Sequence, residues 1–156
     1  MQVHITNTSN LPVEAIEMEY PLRVEEYSLV ADSGGAGRNR GGLGLRRVIR
    51  PVDHVCEFNG VGERFRHRPW GLLGGQPGAT GRFAILGDNG DEEPLSGKVL
   101  ARTLRPDQKL VAETPGAGGY GPPAERARPA VEEDTRSNKF SEAFAHEHYG
   151  RSGSEQ

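Results

Sequence analysis

At 156 residues, 22 of them glycine and 11 proline, the chain has room for one domain but little side-chain volume to fill its core. Hydrophobic residues make up 34% without glycine; counting glycine restores the usual share of about 45–50%, but only by adding residues that bury almost no side chain, so part of the apolar surface is expected to be completed by other polypeptide. The net charge of −3 excludes a global field for nucleic acid or an anionic membrane, and no apolar run approaches the roughly 18–20 residues that span a bilayer.

Cys56 is the only cysteine, which leaves no intrachain disulfide and no cysteine-based zinc site. A reducing cytoplasm suits that usage, and the polar start Met-Gln-Val-His-Ile-Thr holds no signal-peptide core.

Taken in order, Val3 and Ile5 alternate with Gln2, His4 and Thr6, the pattern of a short strand. A strand committed so early makes the first residue read as a cut through something longer. Residues 4–14 are dense in short polar side chains. Leu11 and Pro12 then open a helix whose apolar stripe is Val13, Ile16 and Tyr20, and Pro21 ends it. Residues 22–30 read as a strand.

Next comes Ser33-Gly34-Gly35-Ala36-Gly37-Arg38-Asn39-Arg40-Gly41-Gly42-Leu43-Gly44, with six glycines and two arginines between strand-like segments. Glycine at this density is tolerated where the backbone turns at positive φ or approaches something closely. Consecutive N–H groups in such turns can form an anion-binding nest, to which Arg38 and Arg40 add charge. Two echoes follow, at residues 70–78 and 113–121. They read either as tight turns closing a β-rich domain or as loops shaped around a ligand or partner. No Gly-Lys-Ser/Thr closes the loop as in a phosphate-binding P-loop, and no strand-turn-helix unit surrounds it. Arg-Gly-Gly occurs once, whereas RNA-binding tracts repeat it, so nucleic acid is not the expected partner.

Residues 43–50 and 52–58 read as strands. Val52, His54, Cys56 and Phe58 share one face, making His54 a half-buried core histidine. Asn59-Gly60 and Asn89-Gly90 are turn signals. Eight arginines lie between positions 38 and 68 against Asp53, Glu57 and Glu63, a local excess of five. That stretch is a solvated face or a basic contact surface. Trp70, beside glycines, is expected to anchor the local core, the alternative being a ligand-stacking ring. Strands are expected at 82–86, 98–104 and 109–113, with Pro106-Asp107 as a turn. Helices follow at 124–134 and 141–148, the second capped by Ser141, and the polar residues 151–156 read as a disordered tail. His146-Glu147-His148 lacks the i, i+4 spacing of a helical metal pair.

The expected architecture is therefore α+β and β-rich: antiparallel or mixed sheets connected by glycine loops, with short helices near the N-terminus and at the C-terminus. Residues 1–121 form the β-rich glycine-loop region, and 122–150 a helical segment of the same domain.

The motifs are more specific together than singly. His-x-Thr-Asn-Thr-x-Asn-x-Pro-x-Glu runs from His4 to Glu14 and is followed by Glu19-Tyr20-Pro21-Leu22-Arg23. Then come Ser-Gly-Gly-Ala-Gly-x-x-Arg-Gly-Gly-Leu-Gly, Pro-Trp-Gly-Leu-x-Gly-Gly-x-Pro-Gly and Glu-Thr-Pro-Gly-x-Gly-Gly-Tyr-Gly. This ordered set resembles the C-terminal part of the hydantoinase B/oxoprolinase family, from about His4 to Gly150. The resemblance implies a component of an ATP-dependent machine that opens cyclic amides such as 5-oxoproline or hydantoins, or carboxylates ketones. It further implies a hydantoinase A-type ATP-handling partner, a hetero-oligomer, a cytoplasmic location, and divalent metal and ATP as cofactors of the complete complex.

The chain departs from the family where chemistry is concerned. None of His4, His54, His67, His146 and His148 sits in the metal-ligating Gly-Gly-x-His-x-x-Asp setting that the resemblance places in the N-terminal B-type portion. By itself the chain is expected to bind no cofactor and not to catalyse. His4, Thr6, Asn7, Asn10 and Glu14 are the candidates to face a substrate or interface, since amides and hydroxyls at such density offer fixed hydrogen bonds; a helix cap with an Asx turn explains Asn10 equally well. Arg38, Arg40 and Trp70 complete the candidate set. Two functions stand side by side: a C-terminal module of an ATP-dependent amidohydrolase, or a non-catalytic assembly module or degenerate remnant.

Overall fold

The computed structural model describes residues 11–150. The expected strand at residues 2–6 and the tail at 151–156 lie outside them. The described chain forms two compact units that interleave in sequence, one from residues 11–28, 45–63 and 82–114, the other from 29–44, 64–81 and 115–150.

The first unit is the sheet unit. It contains α1 (Val13–Glu19), β1 (Leu22–Leu29), β2 (Leu45–Pro51), β3 (Cys56–Val61), β4 (Arg82–Gly87), β5 (Glu92–Leu95), β6 (Lys98–Leu104) and β7 (Gln108–Glu113). Five strands pair in the order β1-β2-β7-β4-β5, and β3 and β6 form a separate antiparallel ribbon. The ribbon gives Leu104, Cys56 and Phe58 to a core whose other members, Ile85, Leu110 and Leu95, come from the large sheet. Phe58 meets Phe83 edge to face at 5.2 Å, an arrangement the ring quadrupoles favour.

On the opposite side of the large sheet, Val48, Val111 and Ala84 stand in register across three strands and are buried. Two residues along, and so on the same side of the pleat, Arg46, Glu113 and Arg82 repeat that register as charges. Arg46 Nη1 lies 2.5 Å and Arg82 Nε 2.7 Å from the Glu113 carboxylate. A second network joins Glu25 to Arg50 and Lys109, each at 2.7 Å. Arginine and lysine stems running over the valines explain how a face so rich in charge still keeps an apolar centre.

These networks make the sheet unit acid-sensitive. Burial pushes the Glu113 carboxyl up, but hydrogen bonds from Arg82 and Arg46 outweigh it and hold it below the ordinary value. The hydrogen bond from Lys109, joined by Arg50, does the same for Glu25. A carboxyl whose folded pKa is depressed stabilises the fold above its unfolded pKa and loses that contribution as pH falls through the folded value. Glu113→Gln is therefore expected to be less stable than the wild type at pH 7, and the gap is expected to narrow near pH 3. Urea midpoints at the two pH values measure this, and a gap that persists in acid would refute it.

The α+β, β-rich class holds, with strands antiparallel and helices short, and most elements fall where the sequence places them. In the sheet unit four local readings do not. Tyr20, expected on the apolar stripe of α1, is the helix's C-terminal cap and is 52% exposed. β3 begins at Cys56 and not at Val52, because Asp53 takes a left-handed φ of 56° and turns the chain after Pro51. Asn59-Gly60 is no turn: it lies inside β3 at a register shift, where Asn59 Oδ1 accepts from the Ala101 N–H at 2.8 Å. Pairing with β6 overrides the local preference there. β5 escaped notice because it is a four-residue edge strand containing Pro94, as edge strands tolerate.

The second unit joins the glycine loops to the C-terminal helices α2 (Arg128–Arg136) and α3 (Glu142–Tyr149), with a 3₁₀ turn at Pro123–Glu125. The single helix expected over 124–134 is broken because Arg126 and Ala127 are extended, and α2 restarts with Pro129 in its first turn. Ser141 caps α3 as expected, its Oγ accepting from the Phe144 N–H at 3.1 Å. Phe140, 1% exposed, stacks on Phe144 and forms the centre of this unit's helical part.

Candidate functional site

The three glycine-rich segments lie against one another in the second unit. Gly35 N–H donates to Ala117 O, Ala117 N–H to Gly42 O and Gly119 N–H to Gln76 O, each at 2.8 Å. Gln76 N–H closes the set on Ala36 O at 2.7 Å. Each segment thus bonds to both of the others, backbone to backbone, with no side chain between.

That contact is why the glycines are there. A Cβ built on Gly35, Gly41, Gly75, Gly116, Gly118 or Gly119 would come closer than 3.0 Å to the backbone of a neighbouring segment. Of the two reasons for dense glycine, close approach dominates: among the glycines of these loops only Gly74 and Gly121 have left-handed φ, at 90° and 72°. The N–H groups of Gly35, Gly41, Gly75, Gly116, Gly119 and Gly121 all donate to carbonyls, so they do not form an open nest for an anion.

Charge locks the first segment to the helices. Asp134 of α2, its side chain 5% exposed, takes Arg40 Nε on Oδ1 at 3.0 Å and Arg126 Nη2 on Oδ2 at 2.5 Å. Lys139 Nζ approaches to 3.8 Å. Arg126 also donates to Arg38 O at 3.1 Å, and Arg40 to Gly41 O at 3.0 Å. At the end of α3 the Tyr149 hydroxyl accepts from Gly37 N–H at 3.1 Å, and burial pushes its pKa up.

The candidates from sequence separate accordingly. His4, Thr6, Asn7 and Asn10 lie outside the described residues. Glu14 sits exposed in the first turn of α1, with no partner among the described residues. Arg40 turns inward to Asp134, while Arg38 is half-exposed and paired to Glu125 at 3.2 Å. Trp70 is not the buried anchor that its area leads one to expect: it is 64% exposed, with the Arg64 guanidinium 4.4 Å from its ring centre. Glycines around it pack backbone on backbone and leave no pocket for an indole. Asp134 and Tyr149 were missed because Arg40 and Gly37 lie 94 and 112 positions away, and Arg126, eight positions before Asp134, was missed because no local pattern marks the pair.

Among the described residues no three His, Cys, Asp or Glu side chains gather to hold a metal ion. Asp134 already meets Arg40, Arg126 and Lys139, and the described residues do not fit the divalent metal implied for the complete complex. No helix of the described residues is long and apolar enough to cross a membrane.

Known proteins are similar to this chain in sequence and fold. The family model described as hydantoinase B/oxoprolinase matches residues 1–123. An uncharacterised protein of Methanocaldococcus jannaschii is 42% identical over 140 residues, which cover 90% of this chain and 24% of that protein. The caprolactamase subunit beta of Pseudomonas jessenii is 33% identical over 142 residues, again 24% of its length. The crystal structure of the ATP-dependent caprolactamase from the same organism superposes with a TM-score of 0.82 at 29% identity, over 89% of this chain and 24% of that one. The chain spans about a quarter of the length of these two relatives.

Proposed function

The chain belongs to the hydantoinase B/oxoprolinase family, and from that premise we propose that it is one module of the B-type component of an ATP-dependent enzyme that opens cyclic amides. The supporting observation is the backbone packing of the three glycine loops, which lie within the family match over residues 1–123. Opening a lactam adds water across the amide C–N bond, oxygen to the carbonyl carbon and a proton to nitrogen. In this reading the chain supplies structure to a site completed by the rest of a B-type polypeptide. An A-type subunit handles ATP, and the assembly is a cytoplasmic hetero-oligomer.

The purified chain is expected to show no turnover of 5-oxoproline, hydantoin or caprolactam, with or without ATP and divalent metal. Coexpressed with an A-type subunit and a B-type polypeptide lacking this module, it is expected to restore ATP-dependent ring opening. Activity of the chain alone that scales with its concentration would overturn the reading. Assembly that stays inactive while the same B-type polypeptide with its own module is active would favour the alternative, a non-catalytic assembly module or degenerate remnant.

A further inference from the structure

Between residues 64 and 76 the glycine-lined unit turns large apolar side chains into solvent. Trp70, Leu72 and Leu73 are 64, 56 and 71% exposed, and Tyr120, bridged to Leu72, is 41% exposed. Single exposed apolar residues are ordinary, but a cluster of them marks an interaction site. The cluster is also held rigidly. Leu72 N–H donates to Gly119 O, and Leu72 O accepts from both Gly75 and Gly121, all at 2.9 Å.

Leu73 adds an independent sign. Its φ is 49°, in the left-handed region, which disfavours a residue with a bulky side chain by about 1–2 kcal/mol. Such strain persists where function dictates it. A solitary chain gains nothing by holding leucine there with its side chain in water.

The charge on the segment that carries the cluster is unbalanced as well. Arg38, Arg40, Arg46, Arg50, Arg82 and Arg126 each pair with a carboxylate. Arg64, Arg66 and Arg68 form no ion pair among the described residues: Arg64 lies over Trp70, and Arg68 donates to the Gly78 carbonyl at 2.9 Å. Residues 64–87 contain no aspartate or glutamate at all.

Building on the family reading, we propose that the loop carrying Trp70, Leu72 and Leu73 is the docking surface for the portion of a B-type polypeptide that this chain does not contain, through an apolar seat rimmed by carboxylates. The occupant follows from length and charge. In the caprolactamase structure the same fold is 24% of one longer chain, so the remainder of such a chain must meet this module somewhere. A second copy fits poorly, because a two-fold contact would bring two sets of Arg64, Arg66 and Arg68 into one interface with no carboxylate from residues 64–87 to offset them.

The test measures capture of this chain by the P. jessenii caprolactamase β subunit deleted for its matching segment. Wild-type chain is expected to bind, Leu72→Glu to bind at least about tenfold more weakly, and Arg66→Glu to flatten the salt dependence. Leu73→Asn keeps a residue that tolerates left-handed φ, so it is expected to weaken capture while the melting temperature of the isolated chain stays at or above that of the wild type. Wild-type capture that Leu72→Glu and Leu73→Asn leave within twofold would overturn this surface and spare the family reading. A Leu73→Asn chain that melts lower would remove the strain argument and overturn it too. Sedimentation showing a wild-type dimer that Leu72→Glu dissociates, without capture, would assign the surface to a second copy instead. Failure of the wild type both to be captured and to restore activity on coexpression would count against the family reading itself.

Discussion

Gly41→Ala is expected to destabilise the glycine-lined unit by roughly 3 kcal/mol, the upper end of what overpacking costs, and Gly41→Val to prevent that unit from folding. The added Cβ would collide with the backbone of Ala117, closer than 3.0 Å. The Ala117 carbonyl is itself tied down, accepting from Gly35 N–H while Ala117 N–H donates to Gly42 O. Neither backbone can withdraw without breaking the bonds that join two segments, so the strain has no soft side chain to absorb it. Gly90 is the contrasting case. It takes a φ of 87° with nothing within 4 Å of a built Cβ, so Gly90→Ala meets only the left-handed penalty of about 1–2 kcal/mol. Denaturant midpoints followed by circular dichroism rank the two. If Gly41→Ala loses no more than Gly90→Ala, close approach is not what requires glycine in these loops.

Asp134→Asn is expected to destabilise the same unit by about 3–5 kcal/mol, as when one partner is removed from a buried ion pair. The Asp134 side chain is 5% exposed and that of Arg126 is 11%, so neither guanidinium contact is replaced by water when the carboxylate is neutralised. Arg40 loses its partner at the same stroke. Added salt should recover little, because screening acts on exposed charge. Arg38→Ala offers the control: both members of its pair with Glu125 are half-exposed, and removing it should change stability by less than about 1 kcal/mol. Equal losses for Asp134→Asn and Arg38→Ala would refute the distinction.

The strands and helices were legible wherever one element carried its own signal. The strands read at residues 22–30 and 98–104, Val13 and Ile16 of the expected stripe, and Ser141 before a helix each found its element in the fold. Asn59-Gly60 and Trp70 misled for a shared reason. A turn preference and a burial preference are local averages, and here β6 pairing and backbone-on-backbone packing outweigh them. The two arginines of the organising loop look equivalent in sequence, two positions apart. Only the fold separates them, sending Arg40 to Asp134, 94 positions away, and leaving Arg38 near the surface.

By itself the sequence determined the class, the family resemblance and the presence of three loops that glycine alone could build, because periodicity and glycine density are properties of neighbours along the chain. Which of glycine's two uses applied, which charges are buried and which apolar residues face water were decided by tertiary structure. Those properties depend on what lies across a contact, and a contact between distant segments leaves no periodicity in either one.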